Sequence, residues 1–401
     1  MNTIYAALEI GTTRTVLAIG EADKDNQLKM LCHSEIPSTG IRKSQILDIN
    51  QATQSIRAVL QQIEQKRDAS GAKITIGNAY LAVSGQHIKA DPFVGSIQVE
   101  GARVGDHEIN EVLHAAQSMT LPKDRELLEI VEQDYVLDRL GGITNPKGMS
   151  GRVLRLNALH IHADHDRLQD ARTAAEASHL EICEPLFAAT CAADAVLTEQ
   201  EKRSGVLVLD LGGGSTGYAV YSDNYTISAG VIGVGGDHVM NDIAHAFQTT
   251  NAQAERLKIH ESSALISTTS SLPPRVRIET GDNMLMDNRT VSRIALNTVV
   301  NARMSELFSL IRETLEEQDL LHRLSAGIVL TGGGAQLRDV CTLAEQVLGM
   351  PARIGKPINI LGLEDEPAAT TYATVAGCLI SAHRNSDESS VLGGILGRFF
   401  K

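Results

Sequence analysis

The sequence predicts an α/β fold with an internal duplication, and three observations predict it. A strand carrying an acidic residue, a turn of glycine with hydroxyl residues, and a second strand follow one another twice. They occur near the start, at Leu8-Glu9-Ile10-Gly11-Thr12-Thr13, and near the middle, at Leu209-Asp210-Leu211-Gly212-Gly213-Gly214-Ser215-Thr216. A third strand, Gly327 to Leu330, runs into Thr331-Gly332-Gly333-Gly334 and then into a helical pattern. From Ser84 to about His160 the texture changes to hairpins punctuated by Gly and Pro, as expected of an inserted subdomain.

In chain order, Ile4 to Ile10 is a short apolar strand, Gly11 to Thr13 its turn, and Arg14 to Gly20 the returning strand of a hairpin. Residues 50 to 67 place Ile56, Val59, Leu60 and Ile63 at helical spacing, and Ala79 to Val83 reads as a buried strand. The inserted region holds a helix near Asp106 to Ser118 and the loop Gly141 to Gly151. Gly205 to Leu211, aliphatic at nearly every position, is the strongest strand in the chain, and Tyr218 to Tyr221 continues beyond its turn. An amphipathic helix is expected from about Leu337 to Leu348. The chain closes with a polar stretch, His383 to Ser390, and an apolar tail, Val391 to Lys401.

At 401 residues the chain is long enough for two to four domains. Apolar residues at 43% and charged residues at 21% are those of a folded soluble protein. A formal charge of -13, with 3% aromatics and no Trp, repels phosphate backbones and offers few stacking platforms, so nucleic acid is not expected as a partner. Five scattered cysteines without a CxxC pair argue against a disulfide framework or a thiolate zinc site and fit a reducing cytoplasm. No signal peptide is expected ahead of Ile4, and no apolar run approaches the length of a membrane span.

The turns carry the chemistry. Glycine permits the φ values at which successive backbone N–H groups converge on an anion, and it has no Cβ to block approach. Thr12, Thr13, Ser215 and Thr216 add hydroxyl donors. Glu9 and Asp210 cannot hold phosphate directly, because like charges need an intervening cation; Mg²⁺ acting through its water shell is the natural mediator. The triplet Gly332, Gly333 and Gly334 is expected at a helix N-terminus, where backbone again approaches a phosphate or adenosine freely. No GxxxxGK[ST] occurs, and Gly233-Val234-Gly235 meets His238 where a dinucleotide fingerprint wants glycine.

Two such hairpins, Ala254-Glu255-Arg256-Leu257-Lys258 as an AExxK pattern, and a TGGG turn, in this order, resemble the actin, Hsp70 and sugar-kinase superfamily. Within it the chain resembles the FtsA family of bacterial division proteins, on LEIGTTRT, YLAVSGQHI from Tyr80, the loop ending at Gly151, the run Leu197 to Thr216, and IVLTGGGAQL from Ile328. The resemblance implies a two-lobed actin-like body with ATP in the cleft and an inserted 1C-type subdomain. It places lobe 1 (1A) at 1–83, 161–204 and 361–382, the insert at 84–160, lobe 2 at 205–240 and 306–360 (2A) and 241–305 (2B), a linker at 383–390 and the tail at 391–401. It further implies that Gly11 to Arg14 and Gly212 to Thr216 meet the phosphates, that Glu255 and Lys258 flank the adenosine with Gly332 to Gly334 behind it, and that Asp194 falls near the attacking water. Filaments of this chain on itself, docking of the FtsZ C-terminal peptide on lobe 2 within about 240 to 305, other divisome partners through the insert, and at most slow ATP hydrolysis follow from the same resemblance.

In the tail, Val391, Leu392, Ile395, Leu396, Phe399 and Phe400 occupy one half-circle of a helix, while the glycines, Arg398 and Lys401 share the other. Three glycines cost about 1 kcal/mol each in helicity, so such a tail folds when its apolar face is buried. An anionic membrane on the cytoplasmic side fits it, each cation adding about 1 kcal/mol. A terminal helix docked on its own core is the plainer alternative for the tail. Three other readings of the whole chain compete. His160-Ile161-His162-Ala163-Asp164-His165 matches the HxHxDH pattern of zinc hydrolases, a small-molecule kinase would share the superfamily, and a PilM-like pilus assembly protein would share the fold.

Overall fold

The computed structural model describes residues 3–24, 27–66, 75–101, 103–118, 121–267, 273–278 and 289–391. Two five-stranded sheets and one four-stranded sheet carry the architecture. The first is built from β1 (Thr3–Ile10), β2 (Arg14–Ala22), β3 (Leu28–Pro37), β6 (Asn78–Val83) and β11 (Glu181–Phe187), in the order β3-β2-β1-β6-β11. A short hairpin, β4 (Ile41–Arg42) with β5 (Gln45–Ile46), follows β3. The second large sheet contains β12 (Val206–Leu211), β13 (Thr216–Ser222), β14 (Tyr225–Ile232), β17 (Ile328–Thr331) and β18 (Ala352–Ile354), in the order β14-β13-β12-β17-β18.

These two sheets are the same motif twice. In each, the first strand pairs antiparallel with the second and the second with the third, while the first pairs parallel with the fourth and the fourth with the fifth. The duplication expected from the two glycine turns is thus a duplication of whole sheets. Glu9 lies opposite Val16, and Asp210 opposite Gly217, two residues before Gly11 and Gly212.

The insert forms the third sheet, β7 (Lys89–Gln98), β8 (Arg125–Leu137), β9 (Leu140–Ile143) and β10 (Val153–Asp164), in the order β7-β10-β8-β9. Helix α2 (Asp106–Gln117) packs on it, with Gly95 leaving room for the backbone of Val112 and Ala116. Gln133 Nε2 donates to the Thr226 carbonyl at 2.8 Å, so the insert also touches the edge strand of the second large sheet. A smaller pair, β15 (Arg275–Arg277) and β16 (Thr290–Ser292), lies ahead of the long helix α8 (Arg293–Glu317).

Helix α1 (Ile49–Glu64) buries Ile56, Val59, Leu60 and Ile63 on one face, and Asp48 caps it by accepting from Gln51 N at 3.1 Å. It sits in the first lobe's core with α3 (His165–Glu176). Helix α4 (Ala188–Val196), rich in alanine, is wholly buried between the two large sheets, and α5 (Glu199–Ser204) follows it under a Thr198–Glu201 capping box. Helices α6 (Gly236–Phe247) and α7 (Asn251–Arg256) and α9 (Val340–Leu348) join α8 around the second sheet.

The last helix, α10 (Ala373–Val391), crosses α4 where Gly377 faces the Cys191 carbonyl. It corrects one expectation. Residues 383–390 are no irregular linker but continue α10, although Ser, Asn and Asp are poor helix formers. Tertiary contacts supply the difference. Tyr5 Oη meets His383 Nδ1 at 3.2 Å and Ser386 Oγ at 2.5 Å, Arg384 reaches Asp194 at 3.1 Å, and Asn385 donates to Glu184 at 3.2 Å. A second correction concerns Gly332 to Gly334, which open a single 3₁₀ turn, Gly333–Gln336, while α9 begins only at Val340.

Candidate functional site

The two hairpin turns close in the same way. Gly11 N donates to the Arg14 carbonyl at 2.9 Å, and Gly212 N to the Ser215 carbonyl at 3.1 Å. At each glycine a Cβ would stand 2.7 Å from that same carbonyl oxygen, too close for any side chain, which is why both positions are glycine.

The second turn is backed by α6. Gly236 N donates to the Gly212 carbonyl at 2.9 Å, and Asp237 N to the Gly213 carbonyl at 2.8 Å. In a trans peptide the following N–H points opposite to the carbonyl, so the N–H groups of Gly213 and Gly214 face away from α6. Gly235 is the helix cap, and a Cβ there would meet the turn's backbone at 2.5 Å. The turn therefore presents its donors outward while the helix terminus contributes its positive end from behind.

Both turns face one cavity of about 730 Å³ between the lobes, a size within the range of small-molecule sites. The structure brings together Glu9, Gly11, Thr12, Thr13, Arg14, Asp210, Gly212, Gly213, Gly214, Ser215, Thr216, Glu255, Lys258, Gly332, Gly333 and Gly334 around it. Lys258 lies on a wide π-type turn after α7, pairs with Glu255 at 2.6 Å and donates to the Gly236 carbonyl at 3.2 Å. Gly332 has φ of 80°, and a Cβ on it would run into the Asp210 carboxylate and the Leu211 backbone. One side of the cavity is apolar and comes from the second lobe: Val239, Met240, Ile259, Met304, Leu307 and Leu337.

At the floor stand two carboxylates. Burial pushes Glu9 up to about 7, with the charge of Asp210 adding and Arg14 opposing. Burial pushes Asp210 up to about 6, against a hydrogen bond from Thr374 Oγ1 at 3.1 Å and the charge of Arg14. Arg14 itself pairs with Glu35 at 3.0 Å. Asp237 is raised by burial and lowered by Lys258. Two oxygen-rich acids held uncomfortably in one cleft are a donor set that a hard divalent cation such as Mg²⁺ fits, directly or through its waters.

Asp194 does not join them. It sits on α4 outside the cavity lining, and its carboxylate is held by Lys202 at 2.8 Å and Arg384 at 3.1 Å. A carboxylate fixed by two cations outside the cavity lining is not placed to activate a water there, which corrects the expectation of a catalytic Asp194. The HxHxDH segment also separates. His160 bonds the Ala116 carbonyl at 2.8 Å, His162 lies between Asp91 at 2.9 Å and Arg125 at 2.8 Å, and His165 pairs with Glu126 at 3.0 Å. Among the described residues no group of His, Cys, Asp and Glu is arranged to hold a metal ion in that manner.

The structure adds residues that pattern reading passed over: Ser44, Gly235, Gly236, Asp237, Gln336, Tyr372 and Thr374 all line the cavity. The glycine pair Gly235-Gly236 between a strand and a helix was a usable signal; Ser44 and Thr374 reach the site only through tertiary folding. Of the tail residues, Val391 ends α10, and Leu392, Ile395, Leu396, Arg398, Phe399, Phe400 and Lys401 lie outside the described residues. No described helix is long and apolar enough to cross a membrane.

Comparison with known proteins decides the family. Residues 207–377 match the model of cell division protein FtsA, and residues 85–162 match that of the SHS2 domain inserted in FtsA. Cell division protein FtsA of Pseudomonas aeruginosa is 32% identical over 389 residues, covering 97% of this chain and 91% of that protein. This chain belongs to the FtsA family. The Escherichia coli K12 FtsA is 31% identical over 383 residues, covering 94% of this chain and 89% of its own. Among solved structures, the PilM–PilN type IV pilus biogenesis complex matches with a TM-score of 0.63 at 16% identity, covering 94% of this chain and 98% of that one. MreB5 of Spiroplasma citri bound to ADP matches at 0.58 and 14%, covering 98% and 99%. The fold of this FtsA-family chain is actin-like, and the third sheet is the family's inserted SHS2 domain.

Proposed function

We propose that this FtsA-family chain binds ATP with Mg²⁺ in the interlobe cavity, polymerises on the cytoplasmic face of the membrane at the division site, and tethers FtsZ filaments there. The observation that carries the reading is the convergence of two duplicated glycine turns, the α6 terminus and Gly332 to Gly334 on a single cavity with an apolar wall on one side. In this reading the base and adenosine lie against that wall with Glu255 and Lys258 at their flank. The outward N–H groups of Gly213 and Gly214, the hydroxyls of Thr12, Thr13 and Ser215, and the Arg14 cation hold the phosphates, whereas the Thr216 hydroxyl, expected as a further donor, is buried and donates to the Val234 carbonyl at 2.8 Å. Glu9 and Asp210 would hold Mg²⁺, which when bound neutralises phosphate charge. MreB5, a protein of the same fold, is known with ADP bound, and MamK of that fold forms a double helical filament.

With Asp194 outside the cavity lining and paired with Lys202 and Arg384, the site acts in this reading as a regulator of assembly, with hydrolysis slow or incidental. The tail pattern of Val391 to Lys401 supplies the membrane contact, lobe 2 within 240–305 the FtsZ peptide, and the inserted domain further division partners. Many weak tails along a filament would multiply attachment.

Co-sedimentation with anionic liposomes and FtsZ, with and without ATP, tests the reading. Binding of all three, with liposome binding lost and nucleotide binding kept when 391–401 are deleted, supports it. No dependence on lipid or FtsZ sinks it.

A further inference from the structure

The β4–β5 hairpin reaches over both glycine turns. Its tip residues, Lys43 and Ser44, have φ of 51° and 58°. Left-handed backbone at both central positions is the geometry in which Asn-Gly is favoured, and a lysine and a serine adopt it at a cost. Strain kept at a cavity is a reason to ask what the side chains do there. The tip is pressed on the second turn, since a Cβ on Gly214 would lie 3.1 Å from both Lys43 Cα and Ser44 N.

Ser44 also ties the two lobes together. Its N–H donates to Thr12 Oγ1 at 2.8 Å, while its Oγ stands 3.1 Å from Ser215 Oγ and 3.4 Å from Thr12 Oγ1. One hydroxyl thus touches the turn of each repeat and lines the cavity between them. The apolar wall belongs to the second lobe, so a nucleotide seated with its base there runs its phosphates toward the junction of the turns. Seated that way, its last phosphate would come nearest the hairpin tip.

A cluster of three hydroxyls can exchange neutral mutual contacts for bonds to a phosphate oxygen, because each hydroxyl rotates its single proton to suit. Bonds to a charged acceptor are roughly twice as strong as neutral ones. We propose that Ser44 is a terminal-phosphate ligand whose hydroxyl, with those of Thr12 and Ser215, binds the γ-phosphate of a nucleoside triphosphate and sets the preference for triphosphate over diphosphate. The inference rests on the nucleotide-binding reading above and names a contact that the turns alone do not supply.

The test is the affinity of the full chain for ATP and for ADP, each with Mg²⁺, by calorimetry, in the native protein and in Ser44→Gly and Ser44→Ala. Glycine suits the left-handed tip, so Ser44→Gly removes the hydroxyl without burdening the fold. The expected result is a loss of about tenfold in ATP affinity, the size of one hydrogen bond to a charged group, with ADP affinity unchanged in both variants. Equal loss for ATP and ADP, or no loss for either, overturns the role of Ser44 and leaves nucleotide binding standing. Failure of the native protein to bind either nucleotide overturns the parent reading instead.

Discussion

Gly213 is one of the glycines at which a single change would disturb the cleft. A Cβ there would stand 2.5 Å from Thr13 Cγ2, so a branched side chain must push the two turns apart. Gly213→Val is expected to lower ATP affinity at least a hundredfold, read by displacement of a fluorescent nucleotide, and to weaken liposome recruitment with it. Recruitment that survives the loss of nucleotide would show that the turns do not control attachment.

Glu9 and Asp210 make a second prediction at this scale. Their folded values, about 7 and about 6, stand above the ordinary 4.5 and 3.8, so between those limits the folded chain binds more protons than the unfolded one. The stability they contribute is complete below the ordinary values and is lost as pH rises through 6 to 7. Glu129, raised to about 7 mainly by burial, has the same sign. Glu126 and Glu201, which are held low, are ionised in both states across this window and do not tilt it. His87, lowered to about 4 by burial, and His33 and His160, lowered by the same cause, act with the opposite sign below their ordinary 6.5. Without divalent cation, the melting temperature should therefore fall between pH 6.5 and 7.5, the fall should shrink in Glu9→Gln, and Mg-ATP should flatten it. A melting temperature independent of pH would show that these acids are not strained.

Much of the site was legible at the level of residues, because glycine at Gly11 and Gly212 answers a local steric demand that sequence records. Ser44 was not legible. Nothing within its own hairpin marks it, and its partners Thr12 and Ser215 are 32 and 171 positions away.

Among elements, α10 depends on its crossing of α4. Replacing a helical glycine with alanine ordinarily gains about 1 kcal/mol. At Gly377 the added carbon would drive into the Cys191 carbonyl, and overpacking costs about 1–3 kcal/mol. Gly377→Ala should therefore lower the denaturant midpoint, and a rise would mean that the helices have room to separate. The far end of α10 gives the companion test. Asp194→Asn should leave ATP affinity and hydrolysis unchanged while costing about 2–3 kcal/mol of stability, because Lys202 and Arg384 lose a buried partner. A selective loss of hydrolysis would return Asp194 to the chemistry.

Elements with a strong apolar period, such as α1 and β12, could be read from sequence to within a few residues. The second half of α10 could not. His383 to Ser390 has the composition of a connector, and contacts to Tyr5, Asp194 and Glu184 help hold it helical. Local propensity carries no trace of such contacts.

For the whole molecule, the buried cluster between the lobes draws Ala7 and Val16 from the first large sheet and Val208 and Ala219 from the second, with α4 and α10 between them. The lobes should unfold together. ATP at one hundred times its dissociation constant adds about 2.7 kcal/mol to the folded state. One calorimetric transition that moves upward by several degrees with Mg-ATP is expected, and two transitions of which only one responds would show that the lobes are independent. The duplication was readable from the turns alone, whereas the reach of the inserted sheet to Thr226 on the other lobe was not.

Helix α10 gives this design a length scale. Its first turn donates a hydrogen bond to the acid beside the second glycine turn, and its last described residue, Val391, is where the amphipathic segment begins. Nineteen residues at 1.5 Å each span about 28 Å. Whatever surface grips the terminal segment therefore grips one end of a strut whose other end stands in the cleft. If the tail anchors the chain as proposed, tension along α10 has a path to Asp210 and the cleft.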